Sequence, residues 1–173
     1  TSASQATKLT PQVWCEIARV VDADTIHVQR DGQLLKLRLL CVDTEERFHP
    51  GQEPLPGKPE TVFGEECALW AEQFFAALGK DGAKPKIGLY FPGAKEEKDV
   101  FGRTLCHVIL PDGSDYNLQL VREGKSPYFN KYGNSRAYHA AFVAAQAQAR
   151  EQRLGIGNPE TNRPKEAGAP SAK

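Results

Sequence analysis

The sequence predicts an α+β fold: a five-stranded OB-type β-barrel with three helices. Three observations carry it. The chain has 173 residues, the size of one domain and enough to bury a core without metal or disulfide staples. Five short runs rich in β-branched residues are separated by turn signals. A helical period follows the third run and two more follow the fifth, an order that suits a small, partly open Greek-key barrel.

Each element has a local cause. Val13–Val21 and Thr25–Gln29 read as strands split by the polar turn Asp22-Ala23-Asp24. Arg30-Asp31-Gly32-Gln33 is a hairpin signal, because Asp-Gly favours the primed turns that match strand twist. Leu34–Val42 returns as the third strand. Asp43–Val62 holds four prolines and two glycines and no period, so it reads as a long loop of the kind that is functional or disordered. Gly64–Leu78 spaces Cys67, Trp70 or Ala71, Phe74, Phe75 and Leu78 three and four apart, an amphipathic helix closed by Gly79. Lys86–Phe91 and Thr104–Leu110 are strands flanking a charged loop, Pro92–Asp99. Asn117–Glu123 is a short helix ended by Gly124, and Ser135–Leu154 a long one ended by Gly155. The polar start and the Pro-, Gly- and Ala-rich end predict flexible segments at 1–11 and 158–173 around a domain at 12–157.

Composition excludes several classes. No apolar run reaches about 18 residues, so nothing is expected to span a bilayer. The 22 Lys and Arg equal the 22 Asp and Glu, which argues against a protein that works as a global polycation. Cys15, Cys41, Cys67 and Cys106 form no CxxC pair, so they read as small buried hydrophobes, with one disulfide left open. The chain contains no Met and is expected to be processed or trimmed; a removed export signal is one explanation.

Two aspartates flank the central hairpin, Asp24 opening the second strand and Asp43 ending the third. Hard divalent cations take oxygen ligands, and a site with few carboxylates leaves positions for water and phosphate. The competing explanation is that strand-end Asp bonds its own backbone in turns. With the turn centred between Asp31 and Gly32, Asp24 falls opposite Leu39, and strict alternation puts Arg38 and Asp43 on opposite faces. A bulge or strand end must intervene if they share a site. Tyr128, Phe129 and Tyr132 interleave with Lys125, Lys131 and Arg136, a pattern that fits either base stacking with phosphate neutralisation or packing on the barrel. Trp70 reads as core. The scattered His27, His49, His107 and His139 do not suggest a metal site.

Resemblance goes further than spacing. Arg19-Val20-Val21-Asp22-Ala23-Asp24-Thr25-Ile26 and Arg38-Leu39-Leu40-Cys41-Val42-Asp43-Thr44-Glu45-Glu46 resemble the thermonuclease (staphylococcal nuclease) family. So, in the same order, do Phe63-Gly64-Glu65-Glu66, Asp99-Val100-Phe101-Gly102-Arg103 and Asn117-Leu118-Gln119-Leu120-Val121-Arg122-Glu123-Gly124. The similarity covers residues 13 to 157. It implies a calcium-dependent phosphodiesterase on an OB barrel, secreted or periplasmic and monomeric, that cuts DNA or RNA to 3′-phosphate products. Asp24 and Asp43 would ligate Ca²⁺ with the backbone carbonyl of Thr44. Glu46 would act on the attacking water, Arg38 and Arg103 would hold the scissile phosphate, and Phe101, Lys125, Tyr128 and Tyr132 would contact substrate. The alternative is a nuclease-like OB domain that binds nucleic acid or protein without catalysis.

Three positions depart from the family pattern. Ala23 stands where Gly is usual, at an expected cost of about 1 kcal/mol if φ is positive. Glu45 replaces Pro and adds charge beside Glu46. Phe101 replaces Tyr and removes a hydroxyl that would reach phosphate. Net neutrality is also a sum of unlike parts: residues 45–66 carry six acids and two bases, residues 103–173 ten bases and six acids. The expected attraction for nucleic acid is therefore local.

Overall fold

The computed structural model describes residues 8–45, 62–79 and 82–157. Its elements are β1 (Val13–Asp22), β2 (Thr25–Arg30), β3 (Gln33–Leu39), α1 (Val62–Ala76), β4 (Lys86–Tyr90), β5 (Glu97–Lys98), β6 (Thr104–Ile109), α2 (Tyr116–Arg122) and α3 (His139–Glu151). β1 pairs antiparallel with β2 and β4, β2 with β3, and β4 with β6. A parallel pairing of β3 with β6 closes the ring, so the five-stranded barrel is shut where the sequence suggests a partial opening. β5 pairs two residues with the start of β6, inside the stretch expected to be a loop. α3 starts at His139 instead of Ser135, because the Ser135 hydroxyl accepts the N–H groups of Ala137 and Tyr138 in a turn of its own.

The closing seam has its own clasp. Asn117, fully buried on α2, donates from Nδ2 to the carbonyls of Leu40 (2.9 Å) and Cys106 (3.2 Å) and accepts the Val108 N–H at 3.0 Å. One side chain thus satisfies backbone groups on both sides of the β3–β6 junction, where an unpaired buried group would cost about 1–3 kcal/mol.

Alternation does the rest. Ile26, Val28, Leu37, Leu39, Ile87, Leu89, Cys106 and Val108 fill the interior, and α1 lays Cys67, Ala71 and Phe75 over it. Trp70 stacks on Phe74 and Tyr116, in the core role the sequence suggests. All four cysteines are free thiols, with Cys15, Cys67 and Cys106 buried. Of the expected N-terminal segment, residues 8–11 lie against the barrel: Leu9 packs on the core and Lys8 Nζ donates to the Asp112 carbonyl. The rest of that segment, residues 158–173, and Glu46 and His49 in the long loop lie outside the described residues. Among the described residues no helix is long and apolar enough to cross a membrane.

Ala23 is buried and is not among the residues with positive φ, so the expected backbone cost does not arise. Its carbonyl accepts the Tyr116 hydroxyl at 2.9 Å.

Beneath the helices, His107 on β6 sits 2.9 Å from the carboxylate of Asp115, which also caps α2 by accepting the Leu118 N–H. Burial pulls the imidazole pKa down, but the Asp115 charge and hydrogen bond outweigh it and hold the value at about 9, above the ordinary 6.5. A raised folded-state pKa means that the pair's stabilisation is complete below about 6.5 and disappears as pH climbs through about 9. The urea midpoint should therefore fall across that window, and Asp115→Asn should flatten the fall. An equally steep decline in the variant would assign it to other groups.

Candidate active site

The hairpin fixes the first half of the site. Asp31 and Gly32 both have positive φ, at 51° and 77°, as a primed two-residue turn requires, and this sets Thr25 opposite Arg38. Asp24 therefore meets Leu39, whose N–H donates to the Asp24 carbonyl at 3.0 Å. The Asp24 side chain is buried. Its Oδ1 accepts the Thr25 hydroxyl at 3.1 Å, and its Oδ2 accepts the Thr44 N–H at 3.0 Å and lies 3.2 Å from Arg38 Nη1.

Asp43 reaches the same guanidinium by a break in the strand. β3 stops at Leu39, and Cys41 takes φ of 66°, a left-handed turn that undoes the alternation between positions 38 and 43. Arg38 Nη2 then lies 3.3 Å from Asp43 Oδ1, while Nη1 also donates to the carbonyls of Leu39 and Val42, each at 3.0 Å. The segment after α2 holds this turn from outside. Phe129 N–H donates to the Cys41 carbonyl, Val42 bridges to Tyr128, and the Asp43 N–H donates to Ser126 Oγ at 2.7 Å. Ser126 is buried and its hydroxyl donates onward to the Pro127 carbonyl.

Arg103 approaches along the barrel seam. Leu37 pairs with Thr104 and Arg38 with Leu105, so Arg103 immediately precedes a strand that runs beside Arg38. Asp99 braces it: Oδ1 accepts the N–H groups of Phe101 and Arg103, and Oδ2 accepts Arg103 Nε at 2.8 Å. Burial works against the charged form of Asp99, but the Arg103 backbone and side chain overcome it and lower the pKa. With Nε engaged, the Nη pair makes no hydrogen bond among the described residues. The Phe101 ring lies 5.3 Å from the guanidinium carbon and is largely exposed.

Asp24 and Asp43 thus converge on the Arg38 guanidinium, and Arg103 precedes the strand that pairs with Arg38. Residues 36–159 match the family described as staphylococcal nuclease homologue. The chain belongs to that family. It is 30% identical to the thermonuclease of Staphylococcus intermedius over 140 residues, 81% of this chain and 73% of that protein. It is 28% identical over 157 residues to an uncharacterized protein of Methanocaldococcus jannaschii, covering 85% of this chain and 72% of that one. An endonuclease of Bacillus subtilis is 31% identical over 144 residues, 82% of this chain but 11% of the larger protein.

Within this staphylococcal nuclease fold the remaining expected residues separate. Tyr128 is buried, its ring stacked 4.9 Å from Phe142 and its hydroxyl bonded to Ser135 N–H and His139 Nδ1. The packing alternative therefore holds for it, and neither ring face is open to a base. Lys125 sets its ammonium over the rings of Trp70 and Phe63, at 5.3 and 5.8 Å. Tyr132 is 87% exposed with Lys131 over its ring.

Ser126 and Asp99 are supports that the sequence reading missed. Asp99 had a signal, since Asp commonly accepts the N–H two residues on and Gly102 follows at positive φ. Ser126 had none, being 83 residues from its partner.

The donor set suits a hard cation. Asp24 and Asp43 offer carboxylate oxygens, and the buried Thr44 hydroxyl oxygen beside them has no hydrogen-bond partner among the described residues. No third His, Cys, Asp or Glu joins the pair into a metal-binding cluster among those residues.

Proposed function

We propose that the protein is a Ca²⁺-dependent nuclease that hydrolyses phosphodiester bonds of DNA, and of RNA, to 3′-phosphate products, as a secreted or periplasmic monomer. The convergence of Asp24 and Asp43 on the Arg38 guanidinium supports this reading most directly, since it gathers oxygen donors and a phosphate-binding fork at one point. Asp24, Asp43 and the Thr44 carbonyl would hold the calcium ion, which when bound supplies Lewis-acid stabilisation of a phosphate oxygen. Arg38 and Arg103 would grip the remaining phosphate oxygens, where planar guanidiniums match phosphate bidentately and oppose the charge that grows during attack. Glu46 would take the proton from water as its oxygen bonds to phosphorus. The bond to the 5′-oxygen breaks, that oxygen takes a proton from solvent water as it leaves, and the phosphate stays on the 3′ side. Phe101 would supply an apolar contact beside Arg103.

Cleavage of single-stranded DNA should require Ca²⁺ and stop in EDTA, and Glu46→Gln should retain nucleoside 3′,5′-bisphosphate binding while losing turnover. Undiminished cleavage in EDTA would remove the metal from the reading. Binding of DNA without turnover at any Ca²⁺ concentration would favour the non-catalytic alternative.

A further inference from the structure

The proposed site accounts for one phosphodiester, whereas a polymer presents a row of them. On the outer face of the barrel, Arg19 of β1 pairs with His27 of β2, and His27 pairs with Lys36 of β3. The buried Ile26, Val28 and Leu37 alternate with these positions, so Arg19, His27 and Lys36 project to the same, solvent-facing side. The three span two interstrand spacings, about 10 Å. The row leads to the site. Thr104, paired with Leu37, follows Arg103 directly, and Arg38 lies two residues beyond Lys36 on the same face of β3.

Arg19 and Lys36 hold like charges on either side of this imidazole, which opposes folding, and among the described residues the surroundings do little to relieve it. The next positions on this face are Thr25 and Gln29 on β2 and Leu34 and Arg38 on β3, none of them acidic. Asp22, opposite Thr25, is buried, and Glu16, opposite Gln29, lies 3.9 Å from Lys84. Burial, then Lys36 and Arg19, lower the His27 pKa. Such a row fits a polyanion laid across it.

We propose that Arg19, His27 and Lys36 form a track for the phosphate backbone of the nucleic-acid strand beyond the scissile bond. OB barrels in general present the β2–β3 face to oligonucleotides, and phosphate contacts of this kind position without reading sequence. The inference rests on the nuclease reading.

The test is the salt dependence of binding to a fluorescent single-stranded oligodeoxynucleotide of about 20 residues, in EDTA. Replacing Arg19→Gln and Lys36→Gln together should weaken binding about tenfold at low salt and reduce the slope of log K against log salt by about 1.4, the share of two lost cations. Hydrolysis of a small chromogenic phosphodiester with Ca²⁺ should be unchanged, because both residues lie outside the reacting group. The paired control Arg122→Gln with Arg150→Gln, on exposed helix positions, should leave the slope alone. In the unmodified protein the His27 imidazole pKa, followed by NMR, should rise on adding the oligonucleotide. An unchanged slope in the Arg19/Lys36 variant, or an equal loss in the control, overturns the track while leaving the nuclease reading intact. Failure of the unmodified protein both to bind the oligonucleotide and to hydrolyse the small diester overturns both.

Discussion

Asp24→Asn is expected to fold and to lose on the order of 10³-fold or more in cleavage rate. The substitution separates charge from shape. An amide oxygen in the Oδ2 position still accepts from the Thr44 N–H and Arg38 Nη1, and an NH₂ in the Oδ1 position faces Thr25, whose hydroxyl can turn to accept. Arg38 keeps Asp43 and the carbonyls of Leu39 and Val42. Stability should therefore fall by about 1.5–3 kcal/mol, the scale of a hydrogen bond to a charged group, and a urea titration should show a cooperative transition at lower midpoint. The proposed cation, however, loses one of two carboxylates, and calorimetric Ca²⁺ titration should show binding weakened beyond detection. Cleavage at the parental rate would dismiss Asp24 as a ligand and leave it a structural anchor of the hairpin.

The hairpin shows how much of this site the sequence already contained. A two-residue Asp-Gly turn admits one register, so the pairing of Asp24 with Leu39 follows from counting, and the structure has it. The next step is invisible to counting. Cys41 is not a residue type that favours left-handed backbone, yet its positive φ is what carries Asp43 round to Arg38. The constraint comes from the 126–129 segment, through Ser126 and Phe129, and contacts across some 80 residues leave no local pattern. Barrel closure has the same origin. The strand runs were legible by alternation, but the parallel β3–β6 seam depends on Asn117, which the sequence offers as the start of a short helix and of a family-like motif, with no sign of this clasp. Tyr128 shows the limit of composition: an aromatic among lysines suits a base platform, and the chain spends it on Phe142, Ser135 and His139 instead.

Arg103→Lys should reduce kcat by about 10²–10³-fold with little change in folding stability, and Arg103→Ala should abolish turnover. The argument is geometric. Asp99 engages Nε at 2.8 Å, which orients the guanidinium plane and leaves both Nη groups for a phosphate. Lysine keeps the charge but concentrates it in one ammonium that has to serve either Asp99 or the substrate, and it cannot form a fork. The Asp99–Arg103 pair is 19% and 28% exposed, so water screens it and its loss should alter stability by less than about 1 kcal/mol. Stability and rate therefore part company at this residue, unlike at Asp24. Asp99→Asn supplies the intermediate case. Its Oδ1 contacts with the Phe101 and Arg103 N–H groups can persist through an amide oxygen, while the oriented charge behind Nε is lost, so a smaller fall in kcat is expected with KM nearly constant. Should Arg103→Lys turn over at the parental rate, a point charge suffices at this position, and the role of Asp99 reduces to shaping the turn at Gly102.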